Sequence, residues 1–211
     1  MRDIRGNDIA MIFQEPMTAL NPVYRCGKQV LEAVMLHQKT GKTKGKQICL
    51  DLFREVQIQE PERIFNSYPH EISGGQRQRV MIAMALAGNP ALLIADEPTT
   101  ALDASVQGAI LALLKKISTD RNMSLIFISH DLGVIKKVCD RTLVMYKGRQ
   151  VEEGETRQLF QNPQHQLIMP IVTDDIAFGL KNLKLMILPA VSLALPFMAI
   201  LMRFTRSSVL E

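Results

Sequence analysis

The chain has 211 residues, 47% of them hydrophobic, and a formal net charge of +4. This length suits one domain or slightly more, and this apolar content can supply a buried core. The absence of Trp and the low aromatic content (5%) argue against a platform that stacks nucleic acid bases. The three cysteines are widely spaced and form no Cys-x-x-Cys pair, a usage typical of free thiols in a reducing compartment.

The chain begins with a predicted strand, and helices follow it. Residues 9–13 form a short apolar run that predicts a buried strand ending at Gln14. Apolar residues at helical spacing then predict helices over 27–38, 46–56 and 74–88. Residues 41–45 contain two glycines and predict a flexible break between the first two of these helices.

Four lysines lie within residues 39–46. A charged run of this kind usually forms a solvated helix end or loop. The alternative interpretation is a surface that contacts phosphate groups or lipid.

The next part of the chain alternates apolar strands with helices. Continuous apolar runs at 91–95 and 124–128 are typical of strands that are buried on both faces of a parallel sheet. Lys147-Gly148 separates two further strand patterns and predicts a hairpin. Helices are predicted over 103–117, where Asp103 is the cap, over 132–138 and over 155–161. This alternation predicts an α/β domain with a largely parallel sheet.

Two carboxylates, Asp96 and Glu97, directly follow the strand predicted over 91–95. Ligands bind at the carboxyl ends of parallel strands in open α/β sheets. One of these carboxylates can hold Mg²⁺, and the other can face an attacking water as a general base. The segment Pro98–Asp103 that follows strengthens this interpretation. Gln14 also ends a predicted strand, where a glutamine can contact a metal or water.

A Ser73-Gly74-Gly75 turn opens the helix predicted over 74–88. Glycines let the backbone approach a phosphate closely, and a helix N-terminus offers free N–H groups. A plain helix cap is the alternative, but the residues behind the turn, Gln76-Arg77-Gln78-Arg79, favour a phosphate site. His130 follows another predicted strand, where an imidazole can donate to a terminal phosphate oxygen. A structural role is the alternative for His130.

Together these motifs resemble those of the ATP-binding cassette (ABC) ATPases. The matching segments are Gln14 to Pro22 for the Q-loop, Ser73 to Gln76 for the signature, Leu92 to Glu97 for Walker B, Ala101 to Asp103 for the D-loop, and His130 for the switch histidine. Residues 1–166 are similar to the ATPase subunits of dipeptide, oligopeptide and nickel importers.

The resemblance implies an α/β fold of the ABC nucleotide-binding type, with a RecA-like core and a helical subdomain over about residues 25–88. It implies ATP and Mg²⁺ as cofactors. The implied roles are catalysis for Glu97 and His130, metal binding for Asp96 and Gln14, and nucleotide binding for Gln14, Ser73, Gly74, Gly75, Gln76 and Asp103. The implied partners are a second ATPase subunit, permease subunits and, indirectly, a substrate-binding protein. The location implied is the cytosolic face of the inner membrane, and nucleic acid is not an implied partner.

The sequence departs from this family in two places. It contains no Gly-x-x-x-x-Gly-Lys-Ser/Thr phosphate loop, so we expect negligible ATP hydrolysis by this chain alone. Residues 185–202 hold no charged side chain and predict one membrane-spanning helix. A buried core helix is the alternative, which Pro189 and Pro196 disfavour. Residues 185–211 resemble a permease helix with its cytosolic end, and 167–184 form a junction.

Three functions follow from these observations. The first is an importer ATPase subunit whose hydrolysis is impaired. The second is a non-catalytic, membrane-tethered module that offers its signature in trans to a complete cassette, and the third is a non-functional gene-fusion remnant. ATP hydrolysis by the chain alone separates the first two, and the absence of a cooperative fold would favour the third. The transported substrate cannot be read from these residues.

Overall fold

A computed structural model describes residues 4–14, 19–100, 102–146 and 148–161, together with the backbone of residues 200–201. The chain divides into two compact units, of which the first ends at Met123 and the second begins at Ser124.

The first unit contains a pair of parallel strands and a group of helices. Strands β1 and β2 pair in register, from Ile9 opposite Leu92 to Ile12 opposite Ala95. The parallel pairing and both strand positions confirm the sequence prediction. In the described part of this unit the elements are β1 (Ile9–Ile12), α1 (Cys26–Gln38), α2 (Lys42–Glu55), α3 (Pro61–Asn66), α4 (Gly74–Ala85), β2 (Leu92–Asp96) and α5 (Ala104–Asp120).

The break predicted over residues 41–45 exists, but it spans residues 39–41 and ends before Lys42. Helix α2 begins at Lys42 and includes Gly45 in its second turn. A Cβ atom at Gly45 would lie 2.8 Å from Leu31 Cδ1 of α1. Glycine costs a helix interior about 1 kcal/mol relative to alanine. Here its small size lets α1 and α2 approach closely, and this packing outweighs the helix propensity.

The helices of this unit enclose a core of fully buried apolar side chains, which includes Val30, Val34, Phe53, Ile64, Val80 and Ile82. Cys26 and Cys49 belong to this core, and Cys139 of the second unit is also buried. All three cysteines are free thiols, as predicted. Burial raises the pKa of Cys26 to about 11 and that of Cys49 to about 12.

An ion pair connects the end of α5 to the end of α2. Arg121 donates from Nε to Glu55 Oε1 at 2.6 Å and from Nη2 to Glu55 Oε2 at 2.5 Å. Its Nη1 also donates to Asn89 Oδ1 at 3.1 Å. The two charged side chains are only 19% and 32% exposed. An ion pair that is partly buried and held by two parallel hydrogen bonds is stronger than an ion pair on the surface.

We expect Arg121→Ala to lower the free energy of unfolding by about 2 kcal/mol, because it leaves the Glu55 carboxylate partly buried without its partner. A double-mutant cycle with Glu55→Ala should give a coupling energy of about 1–2 kcal/mol, measured by urea unfolding. Arg54, paired with Asp51 on the surface, is the control, since these side chains are 49% and 60% exposed. Arg54→Ala should cost less than about 0.5 kcal/mol. Equal coupling in the two pairs would contradict this assignment.

The second unit contains a strand, two short helices and a hairpin. Strands β4 and β5 pair antiparallel, with Arg141 opposite Glu155 and Tyr146 opposite Arg149. The turn between them contains Gly148 at a φ of +75°, a conformation that glycine adopts without strain. The described elements are β3 (Ser124–Ile128), α6 (Leu132–Val138), β4 (Arg141–Tyr146), β5 (Arg149–Glu155) and α7 (Thr156–Gln161).

Ile200 and Leu201 form a two-residue strand, β6. It pairs antiparallel with β4, with Leu143 opposite Leu201 and Val144 opposite Ile200. The helix predicted over 185–202 is therefore wrong at these two residues. The chain is extended there, because β4 offers it backbone hydrogen bonds. The rest of the span predicted over 185–202, and the junction over 167–184, lie outside the described residues. In the part of the chain that the structure describes, no helix has the length and apolar character needed to cross a membrane.

Candidate functional site

The register of β1 and β2 brings Gln14 next to Glu97. Ile12 pairs with Ala95. Gln14 and Glu97 lie two positions after these residues, so they leave the sheet side by side. The Gln14 Nε2 donates a hydrogen bond to Glu97 Oε2 at 2.9 Å. The sequence predicted these two residues at separate strand ends, and the structure joins them.

Glu97 is held in an unusual backbone conformation. Its φ is +43°, in the left-handed region that few non-glycine residues adopt. The side chain is buried, with an exposure of 5%. Thr100 supports it twice, because its N–H donates to the Glu97 carbonyl at 3.1 Å and its hydroxyl to Glu97 Oε2 at 2.9 Å. Such strained backbone clusters at functional sites.

Thr100 is a site residue that the sequence patterns did not single out. Its signal lies in the spacing, since a turn that begins at Glu97 and contains Pro98 brings Thr100, three positions later, back against Glu97.

Asp96 presents a buried carboxylate oxygen to which no described residue donates a hydrogen bond. The side chain is 4% exposed, and the oxygen is Oδ1. Burial, followed by the nearby Glu97 charge, raises the pKa of Asp96 to about 6. Carboxylate and amide oxygens are the hard ligands that Mg²⁺ prefers. The unpartnered oxygen of Asp96 therefore suits a magnesium ligand, and the metal-binding role of Gln14 stays a prediction.

Ser73 and Gln76 form a capping box at the start of α4. The Gln76 N–H donates to Ser73 Oγ at 3.2 Å, and the Ser73 N–H donates to Gln76 Oε1 at 3.0 Å. The helix-cap interpretation is thus confirmed. In this cap Ser73 Oγ acts as an acceptor, so the Ser73 hydroxyl proton can still be donated to another group. The phosphate roles of Ser73, Gly74, Gly75 and Gln76 stay predictions.

The glycines of this turn lie against the segment that leads into α5. A Cβ at Gly75 would lie 2.9 Å from Val106 Cγ1, and one at Gly74 would lie 3.8 Å from Leu102 Cδ2. Gly75 therefore has a packing reason for its small size in addition to the predicted approach of a phosphate. No sequence pattern predicted this contact, because the glycine turn and residues 102–106 are far apart in the chain.

Asp103 caps α5, as predicted. Its Oδ1 accepts hydrogen bonds from the N–H groups of Ser105 and Val106 at 3.1 Å and 2.9 Å, and from the Ser105 hydroxyl at 2.6 Å. The Ser105 hydroxyl, with the Val106 N–H second, lowers the pKa of this carboxyl. A role for Asp103 in nucleotide binding stays a prediction.

His130 belongs to the second unit. It directly follows β3, and its side chain is exposed. Its neighbours are fixed locally, because Ser129 Oγ accepts from the Asp131 N–H at 3.0 Å and Asp131 caps α6. The strand-end position is as predicted. The role of His130 at a terminal phosphate stays a prediction.

The comparisons with known proteins all match ATP-binding proteins of ABC transporters. Residues 1–100 match the ABC transporter family. Over 165 residues, 78% of this chain, the sequence is 56% identical to the peptidoglycan transport ATP-binding protein YejF of Agrobacterium fabrum. Over the same share it is 52% identical to the glutathione import ATP-binding protein GsiA of Escherichia coli. These matches span only 30% and 26% of the length of the two relatives.

Solved structures resemble the described fold. The ABC cassette MJ0796, solved as a dimer with ADP and Pi, gives a TM-score of 0.64 at 29% identity, covering 74% of this chain and 66% of that one. The cbiO1 protein of Clostridium perfringens, described as part of an ABC transporter complex, gives 0.66 over 79% of this chain and 62% of its own. At 24% identity, this second likeness shows the fold alone.

Proposed function

We propose that this chain, which carries an ABC transporter ATPase domain, acts as an ATP-binding subunit of an importer for peptide-like solutes. The two relatives described above are named for peptidoglycan transport and glutathione import, and both compounds contain peptide bonds. Neither name mentions nickel, so we propose peptide-like cargo and not the nickel that the sequence resemblance left open. Permease subunits at the inner membrane are the proposed partners.

The observation that carries this proposal is the arrangement at the ends of β1 and β2. Asp96 and Gln14 would hold Mg²⁺, which when bound would neutralise the phosphate charge of ATP. Glu97, oriented by Gln14 and Thr100, would accept a proton from the attacking water. Ser73 and His130 are proposed to donate hydrogen bonds to phosphate oxygens.

The 211 residues contain no phosphate loop. Phosphoryl transfer depends almost entirely on positioning and charge stabilisation, and the loop and its lysine supply much of both. We therefore propose that a polypeptide of these residues does not hydrolyse ATP alone. Its Ser73-Gly74-Gly75 turn would instead complete a site on a second cassette that carries the loop.

A complementation assay tests this proposal. The chain is added to a cassette of the same transporter class that contains a phosphate loop but has an inactivated signature, and ATP turnover is measured. We expect at least a tenfold increase, because hydrogen bonds to charged phosphate oxygens contribute about 1.5–3 kcal/mol each. The chain alone should show no turnover.

Ser73→Asp is the matched variant for this assay. Aspartate keeps a strong helix cap at this position, but it places negative charge where a phosphate is proposed. The variant should melt at the temperature of the parent chain and fail to stimulate the partner. Stimulation equal to that of the parent, or none by the parent itself, would refute the proposal. A chain that shows no cooperative melting would favour the remnant interpretation.

A further inference from the structure

The junction of α1 and α2 forms a basic surface that the site described above does not use. We call residues 35–46 the lysine tip. It carries the exposed lysines Lys39, Lys42, Lys44 and Lys46, and the sequence has no Asp or Glu anywhere between residues 33 and 50. Leu36, in the last turn before the lysines, is 70% exposed, and Met35 beside it is 38% exposed.

The lysine tip is held in a fixed arrangement. Gln38 Nε2 donates to the Ala87 carbonyl at 2.7 Å, which anchors the end of α1. Gly45 packs against Leu31, which sets the distance between the two helices. The tip therefore presents its lysines and its leucine together.

Most lysines of the tip are not neutralised by any carboxylate of the described residues. Lys46 lies over the Phe65 ring, with its Nζ 5.4 Å from the ring centroid. Among the described residues, Lys39, Lys42 and Lys44 make no ion pair. Three positive charges and an exposed leucine thus face outward from one turn region.

We propose that the lysine tip binds the anionic headgroups of a membrane surface, with Leu36 and Met35 entering the headgroup region. A bilayer interface satisfies both features, because anionic lipids attract the lysines and the acyl boundary accepts the apolar side chains. A free phosphate would satisfy the lysines but leave Leu36 in water. The combination therefore favours lipid over a soluble anion as the occupant.

Tryptophan fluorescence gives a direct test, because the chain contains no Trp. The full-length variant Leu36→Trp is mixed with vesicles of phosphatidylglycerol and phosphatidylcholine, or of phosphatidylcholine alone. We expect the tryptophan emission to shift to the blue with the anionic vesicles only. High salt should reverse this shift. Val151→Trp is the control, since Val151 is 48% exposed and lies in the second unit. Its emission should not change.

This readout is local to the tip. Residues 185–202 are apolar and can bind vesicles by themselves, so total binding would not answer the question. In the Leu36→Trp background, replacing Lys39, Lys42 and Lys44 by Gln should weaken the response on the order of a hundredfold, at roughly fivefold for each lysine near an anionic surface. A shift of the same size with neutral vesicles, or one unaffected by the three glutamines, would overturn the proposal. A shift with inorganic phosphate alone would indicate a small-anion site instead.

Discussion

Asp96→Asn is expected to stabilise the Mg²⁺-free protein by about 2 kcal/mol at pH 7.5, and to remove its stabilisation by Mg²⁺. Burial raises the pKa of Asp96 in the folded state to about 6, from its ordinary value of 3.8. Above pH 6 the folded state must bear a buried charge that the unfolded state keeps in water, so ionisation favours unfolding. As the pH falls through about 6 towards about 4, this penalty disappears.

The stability of the parent chain should therefore decrease as the pH rises from about 4 to about 6, and the contribution of this group should vanish in Asp96→Asn. Urea unfolding at pH 4.5 and 7.5, with and without Mg²⁺, measures both effects. Asp103→Asn is the control, because asparagine also caps helices well and Asp103 is not proposed to bind Mg²⁺. An Asp96→Asn protein that is less stable than the parent at pH 7.5 without Mg²⁺ would contradict the burial penalty. One that is still stabilised by Mg²⁺ would argue against Asp96 as the metal ligand.

Gly88→Ala is expected to destabilise the chain by about 3 kcal/mol or more. A Cβ at Gly88 would lie 1.9 Å from the Gly6 carbonyl oxygen and 3.0 Å from Asn7 Cα. Both atoms belong to the backbone, so the turn that precedes β1 must move before the methyl group fits. Since this turn leads into β1, the displacement should reach the strand that positions Gln14.

Gly108→Ala is the matched control for this prediction. Gly108 lies inside α5, and a Cβ there would meet no atom of the described residues outside the backbone of its own helix within 4 Å. Alanine should therefore stabilise the chain by about 0.5–1 kcal/mol through helix propensity alone. Denaturant midpoints of the two variants should move in opposite directions. A Gly88→Ala midpoint that does not fall would show that the close approach at Gly88 is relieved without cost, and a Gly108→Ala midpoint that falls would show that Gly108 is a poor control.

Local patterns predicted the elements of this fold well, because short-range rules govern them. The strand expected over 124–128 occurs as β3, and the helix expected to be capped by Asp103 begins at Ala104. Hydrophobic periodicity and capping residues act within a few positions of the chain, so a single sequence displays them.

Close approaches between distant segments could not be predicted in this way. Gly45 was interpreted as a helix breaker, but its partner Leu31 lies on another helix. At the candidate site, the strand-end rule located Gln14 and Glu97 but not their hydrogen bond, which depends on the register of two strands. Thr100 was missed, although its spacing of three positions from Glu97 across a turn that contains Pro98 was a usable signal.

The burial of the three cysteines has a practical consequence for spectroscopy. With a pKa of about 11, the Cys26 thiol is ionised in only about one molecule in ten thousand at pH 7, and maleimides react with the thiolate. Cys49, with a pKa of about 12, should react even less. A new cysteine at exposed Val151 should then take up a spin label or fluorophore selectively. Distance measurements could begin from the native sequence, without first removing its own thiols.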